Sequence, residues 1–136
     1  MEGTLTYADE GAAAQQTFAR WYADANNFIT LDLDTDGAAT GEVNANQSAA
    51  ATLDTVATGS YTAGINTAFN IASRHTSGAI NVAVGGTAGT ADETPIALPN
   101  LAATDFVLGY DFNGTISTLR IWDADLADAG IEEAST

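Results

Sequence analysis

Asn113-Gly114-Thr115-Ile116-Ser117-Thr118-Leu119-Arg120-Ile121-Trp122-Asp123-Ala124-Asp125-Leu126 is the stretch whose reading decides the fold. Asn-Gly reaches positive φ easily and is the strongest short hairpin signal, and a β-branched and aromatic run follows it. The expectation is a turn and then a strand. Leu119 and Ile121 share a face while Ile116 is out of phase with them, so the strand either bulges or is buried on both faces. Either option places it in a sheet sandwich.

Working outward, strand signals recur at short intervals and helix signals are scarce. Thr4-Leu5-Thr6-Tyr7 alternates as a half-buried strand ended by Asp9-Glu10-Gly11. Residues 12–16 read as a loop, too short for an independent helix, running into a strand at 17–22 and a turn at 23–26. Residues 27–33 carry the cleanest period of two, with Ile29, Leu31 and Leu33 on one face. Asp34-Thr35-Asp36-Gly37 turns the chain toward residues 41–47, and Leu53 and Val56 suggest one further strand. Residues 64–71 and 79–84 form a hairpin pair, each with one apolar face, ended by Gly85-Gly86. Residues 87–99 are a long loop holding both prolines, and Phe106, Leu108 and Tyr110 resume the sheet in phase. About nine short strands with glycine-marked turns call for an all-β chain: a two-sheet antiparallel β-sandwich, or jelly roll, with at most a short C-terminal helical turn. Nothing divides residues 1–136 into more than one domain.

The closing strand together with Ala127-Asp128-Ala129-Gly130-Ile131-Glu132-Glu133 resembles the last strand and terminal helix of concanavalin A-like (laminin G-type) jelly-roll domains. Modules of that family occur in carbohydrate-binding proteins and in bacteriophage tail and virion surface proteins. Two departures stand out. Ala127 occupies the place where the family's helix usually starts on a capping serine, and Gly130 weakens the first turn. Many relatives carry extra strands ahead of the point where this sequence starts, so a sheet edge is expected to be open to a partner or a sister subunit.

Eighteen acidic residues stand against Arg20, Arg74 and Arg120, with no lysine, for a net charge of −15. Nucleic acid and anionic membranes are both bound through clustered cations, so both are excluded as partners. An excess of acid suits work in salt, where a Debye length of about 8 Å or less damps self-repulsion. There is no cysteine, so no disulfide or thiolate site exists. The first residues lack a basic and apolar leader, and lysis of a host is the expected route to the outside.

The candidate chemistry is sparse. Asp32, Asp34 and Asp36 follow the D-x-D-x-D-G spacing of a calcium loop, but Val43 stands where an EF-hand needs its bidentate acid and strands flank the segment. The plain reading is a solvated hairpin turn; the alternative is a bound calcium relieving three crowded carboxylates. His75 is the only histidine and has no nucleophile elbow to serve, so residues 74–78 read as an exposed hairpin connection without a role. Glycosidases set two carboxylates about 5 Å apart on one cleft. Asp32 and Asp34 fall at a turn, and the adjacent Glu132 and Glu133 diverge, so hydrolysis is not expected. Trp21, Tyr22, Tyr61, Tyr110 and Trp122 are the aromatics available to stack on sugars. Trp21 and Tyr22 must face opposite sides of their strand, and Tyr61, in a loop, is expected to be the most exposed.

The expectation is therefore a non-enzymatic surface component of a tailed bacteriophage, a capsid decoration or a fibre or tail protein, partnered by other virion proteins, with homo-oligomerisation and glycan adhesion as additional roles. Its glycan contacts would be Tyr61, Trp21 and Tyr22. The alternative is a free-standing carbohydrate-binding module or lectin of a marine or halophilic microbe.

Overall fold

A computed structural model describes residues 1–8, 14–59 and 61–136. The expected turn at Asp9-Glu10-Gly11, Ala12 and Ala13 of the following loop, and Ser60 lie outside the described residues.

Two five-stranded antiparallel sheets face each other. The strands are β1 (Glu2–Tyr7), β2 (Gln15–Asp24), β3 (Asn27–Asp34), β4 (Val43–Ala49), β5 (Thr52–Thr58), β6 (Gly64–His75), β7 (Ile80–Val84), β8 (Thr87–Ala88), β9 (Phe106–Leu108) and β10 (Gly114–Thr118), followed by a helix, α1 (Ala127–Ala134). One sheet has the order β10-β1-β6-β7-β8 and the other β5-β4-β3-β2-β9. The β-sandwich expected from the alternation is the fold, and among the described residues no helix is long and apolar enough to cross a membrane.

The core lies between the sheets. Leu5, Phe69, Ile71, Ile80 and Val82 from the first meet Leu31, Leu33, Val43, Ala45 and Val56 from the second, all buried. Phe18 and Ala19, adjacent in sequence, are both buried because the β2–β3 register shifts between Thr17 and Ala19. That bulge turns Phe18 onto Phe69 and Phe112, with ring centroids 4.9 and 5.4 Å away.

Three sequence expectations change. Asn113-Gly114 does not make a hairpin turn: β9 and β10 belong to different sheets, and the positive φ values fall at Gly109 and Asp111. Gly114 is needed for close approach instead, since a Cβ there would lie 2.2 Å from the Thr4 carbonyl oxygen. The closing strand is an edge strand ending at Thr118, with Leu119, Ile121 and Trp122 exposed. The register shift between Glu2 and Gly3 opposite Ile116 is the bulge that the phase change implied.

The third change is the helix, which makes about two turns where one was expected. Leu126 at the N-cap has no capping side chain, but Asp125 accepts the Ala127 N–H (2.9 Å) and Ser135 Oγ donates to the Glu132 carbonyl (3.1 Å). Ile131 packs on Ala72 and Ala83, and three polar ties hold the helix to the sheet. Asn81 Nδ2 donates to Asp128 (2.9 Å), the Gly86 N–H to Ser135 Oγ (3.1 Å) and the Ala88 N–H to Glu132 (3.3 Å). Arg74 adds ion pairs to Asp128 at 3.1 Å, Asp125 at 3.4 Å and Glu93 at 3.0 Å.

Candidate functional site

The sandwich opens at one end into an apolar cleft of about 730 Å³, within the range of ligand pockets in general. The strand register explains why it is there. β1 pairs with β6 from Tyr7–Gly64 to Glu2–Asn70, with a register shift between Leu5 and Tyr7. It finishes with a doubly bonded Met1–Ile71 pair, in which the Ile71 N–H donates to the Met1 carbonyl (2.8 Å) and the Met1 ammonium donates to the Ile71 carbonyl (2.6 Å). β6 continues to His75 with β7 on its other side. Among the described residues, no strand lies beside residues 72–75 on the β1 side.

β10 loses the same partner. It is bonded to β1 as far as Glu2–Thr118, and residues 119–122 leave the sheet where β1 stops. A strand needs a neighbour to satisfy its backbone, so the sequence propensity of Leu119-Arg120-Ile121-Trp122 goes unrealised. These residues become one wall of the cleft, β6 the other, and Trp21, Ile29 and Leu31 of the facing sheet the floor.

His75 belongs to this site. It is not in an exposed connection, as the sequence suggested, because β6 extends through it and only residues 76–79 connect to β7. Its side chain lines the cleft, and both ring nitrogens are sealed from solvent and, among the described residues, without hydrogen-bond partners. Burial in apolar surroundings disfavours the imidazolium and pushes the pKa down to about 4. Burial likewise lowers the Met1 ammonium, with Glu2 opposing the shift and Arg120 adding to it.

The aromatic candidates separate. Trp21 and Tyr22 do face opposite sides of β2. Trp21 is in the cleft, its Nε1–H donating to the Thr104 carbonyl (3.1 Å) and its ring edge-on to Phe106. Tyr22 is on the outer face, stacked on Phe28 at 5.8 Å. Tyr61 is not the exposed platform expected of it. It packs on the core, its hydroxyl accepts the Asn70 N–H (3.2 Å), its carbonyl accepts the Tyr7 hydroxyl (2.6 Å), and burial raises its pKa.

That outer face holds a second group of residues. The Arg20 guanidinium lies over the rings of Tyr110 (3.7 Å) and Tyr22 (4.6 Å), contacts of the cation–π kind. Beside it a polar row crosses the sheet: Thr30 next to Arg20, Asn46 donating to Asp32 (2.9 Å), and Thr55 donating to Asn46 (2.8 Å).

The three turn carboxylates are not brought together. Asp32 is buried in the polar row, accepting from Thr30 and Asn46 through one oxygen, while its other oxygen has no partner among the described residues. Asp34 accepts the Asp36 N–H (2.8 Å), an Asx turn that closes the backbone without a cation. Among the described residues no group of three His, Cys, Asp or Glu side chains could hold a metal ion.

Sequence reasoning missed the cleft residues Ser73, Ile29 and Leu119, and the Arg20–Tyr110 pairing. The available signal was a strong strand pattern at 119–122 with no matching strand to lie beside it. Comparison with family models, with curated proteins and with solved structures gave no match.

Proposed function

We propose that the domain is a non-enzymatic structural component of a tailed-bacteriophage particle surface, a capsid decoration or part of a fibre or tail, whose work is to hold on to other virion proteins. The observation that carries the assembly part is the apolar cleft beside β6, lined by Trp21, Ile29, Leu31, Leu119, Ile121 and Trp122. Exposed apolar surface of this kind suits a polypeptide neighbour better than a small polar substrate. The phage setting rests on the resemblance of residues 113–133 to the closing strand and helix of concanavalin A-like virion modules. The test is cosedimentation of the purified domain with isolated tailed-phage particles, together with mass spectrometry of the virions. Saturable binding and presence in virions support the reading; neither binding nor presence ends it.

A lectin is the second reading, favoured by Tyr22 and Tyr110 flanking Arg20 beside the polar row of the outer face. Aromatic faces stack on sugar rings and the row offers donors and acceptors. A glycan array discriminates: sugar-specific binding abolished by Tyr110→Ala and unaffected by Tyr61→Ala supports it, and a silent array removes it.

A further inference from the structure

We propose that Asn113 is a site of spontaneous covalent modification: its carboxamide closes on the Gly114 nitrogen, and hydrolysis leaves an isoaspartyl link that releases β10 from β1. The inference needs no partner and goes beyond the assembly reading.

The sequence supplies the reactive pair. A five-membered ring brings an asparagine carboxamide onto the next backbone nitrogen of its own chain, and a side chain on that next residue crowds the approach. Asn113 is followed by glycine, and no other asparagine in the chain is.

The ladder frees the nucleophile. In an antiparallel pair, residues alternate between facing their backbone groups inward and turning them away. The Thr6 N–H donates to the Asn113 carbonyl (2.8 Å), so Thr6–Asn113 faces inward. Leu5–Gly114 is the next pair along and turns away. The Gly114 N–H therefore points out of the sheet, and among the described residues no strand lies beyond β10 to accept it. The backbone of Asn113 is held on both sides, since its own N–H donates to Gln16 Oε1 (3.3 Å). Its side chain is exposed and makes no hydrogen bond among the described residues, so the carboxamide can swing onto the free nitrogen.

The chemistry needs only water. The Gly114 nitrogen gives up its proton to solvent and attacks Asn113 Cγ. A C–N bond forms, the Cγ–Nδ2 bond breaks, and Nδ2 leaves with a proton from solvent as ammonia. Water then opens the ring: attack at Cγ gives aspartate, and attack at the main-chain carbonyl gives isoaspartate. Nothing is oxidised or reduced.

The position gives the product its effect. An isoaspartyl link adds one atom to the main chain and turns the carbonyl that held Thr6 into a free carboxylate. Residues on both sides are fixed, because Phe112 packs on Phe18 and Phe69 and Ile116 on the core. Gly114 itself has no slack, with the Thr4 carbonyl 2.2 Å from where a Cβ would sit. The extra atom must be taken up in β10, and the outermost strand of the sheet comes away.

The test incubates the purified protein at mildly alkaline pH and follows it by peptide mapping, beside a synthetic peptide of residues 110–117. The expected result is a gain of about 1 Da at Asn113 ahead of every other asparagine, with isoaspartate as a product. The rate should rise about tenfold per pH unit, since the attacking amide must first lose its proton. Asn113→Gln, which must close a larger ring, should slow the reaction about tenfold or more. In the isoaspartyl fraction the Thr4 and Thr6 amides, which face β10, should lose protection from hydrogen exchange while Leu5, which faces β6, keeps it. That fraction should melt lower by about 4 °C or more, whereas Asn113→Asp, with the charge but no added atom, should melt like the parent.

No gain at Asn113 while the peptide reacts, or Asn113→Gln reacting as fast as the parent, would overturn the proposal. So would a gain spread evenly over the asparagines, or an isoaspartyl fraction with Thr4 and Thr6 still protected. An Asn113→Asp variant melting as low as that fraction would also overturn it, by assigning the effect to charge.

Discussion

His75 shows how one side chain is redefined by the strand it lies in. Its ring nitrogens are buried without partners and its pKa is pushed down to about 4 from 6.5. Above pH 6.5 the ring is neutral in both the folded and unfolded chain, and its contribution to stability is complete. As the pH falls from 6.5 toward 4 the unfolded chain takes up a proton that the folded one refuses, so stability drops, by about 3 kcal/mol over the window. His75→Leu should remove that slope. Urea midpoints at pH 7 and pH 4.5 should converge for the variant relative to the parent, and an unchanged difference would show that the imidazole is not shielded. Gly114 gives a steric counterpart. With the Thr4 carbonyl 2.2 Å from where a Cβ would sit, Gly114→Ala must push β10 from β1, a loss of about 1–3 kcal/mol measurable by denaturant titration. Neither role was legible beforehand. A lone histidine beside Thr-Ser-Gly reads as a loop residue, and the close approach at Gly114 exists only once β1 and β10 are paired.

At the scale of elements, strands with their own strong alternation were legible, and those whose length depends on a neighbour were not. Residues 27–33, 64–71 and 79–84 announced themselves by period two, and β3, β6 and β7 follow, although β7 pairs with residues 71–75 of β6 while the 64–70 part lies beside β1. The same signal at Leu119-Arg120-Ile121-Trp122 misled, because propensity describes a half-buried surface and cannot supply the strand beside it. The β4–β5 turn shows the converse, a tight hairpin with no turn residue to mark it. Ala49 pairs with Thr52 across Ala50 and Ala51, which sit at φ of 50° and 69°. That is the positive-φ pair of a type I′ turn, and alanine resists it. Replacing Ala50→Asn together with Ala51→Gly should stabilise the fold by about 1–2 kcal/mol, read as a rise of several degrees in Tm. A fall would mean that the turn is held by contacts other than its own backbone.

For the molecule as a whole the charge imbalance sets the terms. Arg74 draws Glu93, Asp125 and Asp128 to itself, but three arginines cannot offset eighteen acids. Raising sodium chloride from about 10 mM to about 1 M shortens the Debye length from about 30 Å to about 3 Å. Self-repulsion should weaken more than the few ion pairs do, so Tm should rise with salt; a fall would assign the stability to the Arg74 cluster instead. The sandwich class itself was legible from spacing, whereas the open end was not, because it depends on where three strands stop relative to one another. The outermost residues have a consequence of their own. Met1 is bound to Ile71, and Asn70 Nδ2 donates to the Thr136 carbonyl, so first and last residues are moored side by side on a single strand. A polypeptide leading in and out at that point would traverse scarcely any distance, and the slab can hang from a host loop like a pendant, with tension on the cord unzipping one layer while the other bears no load.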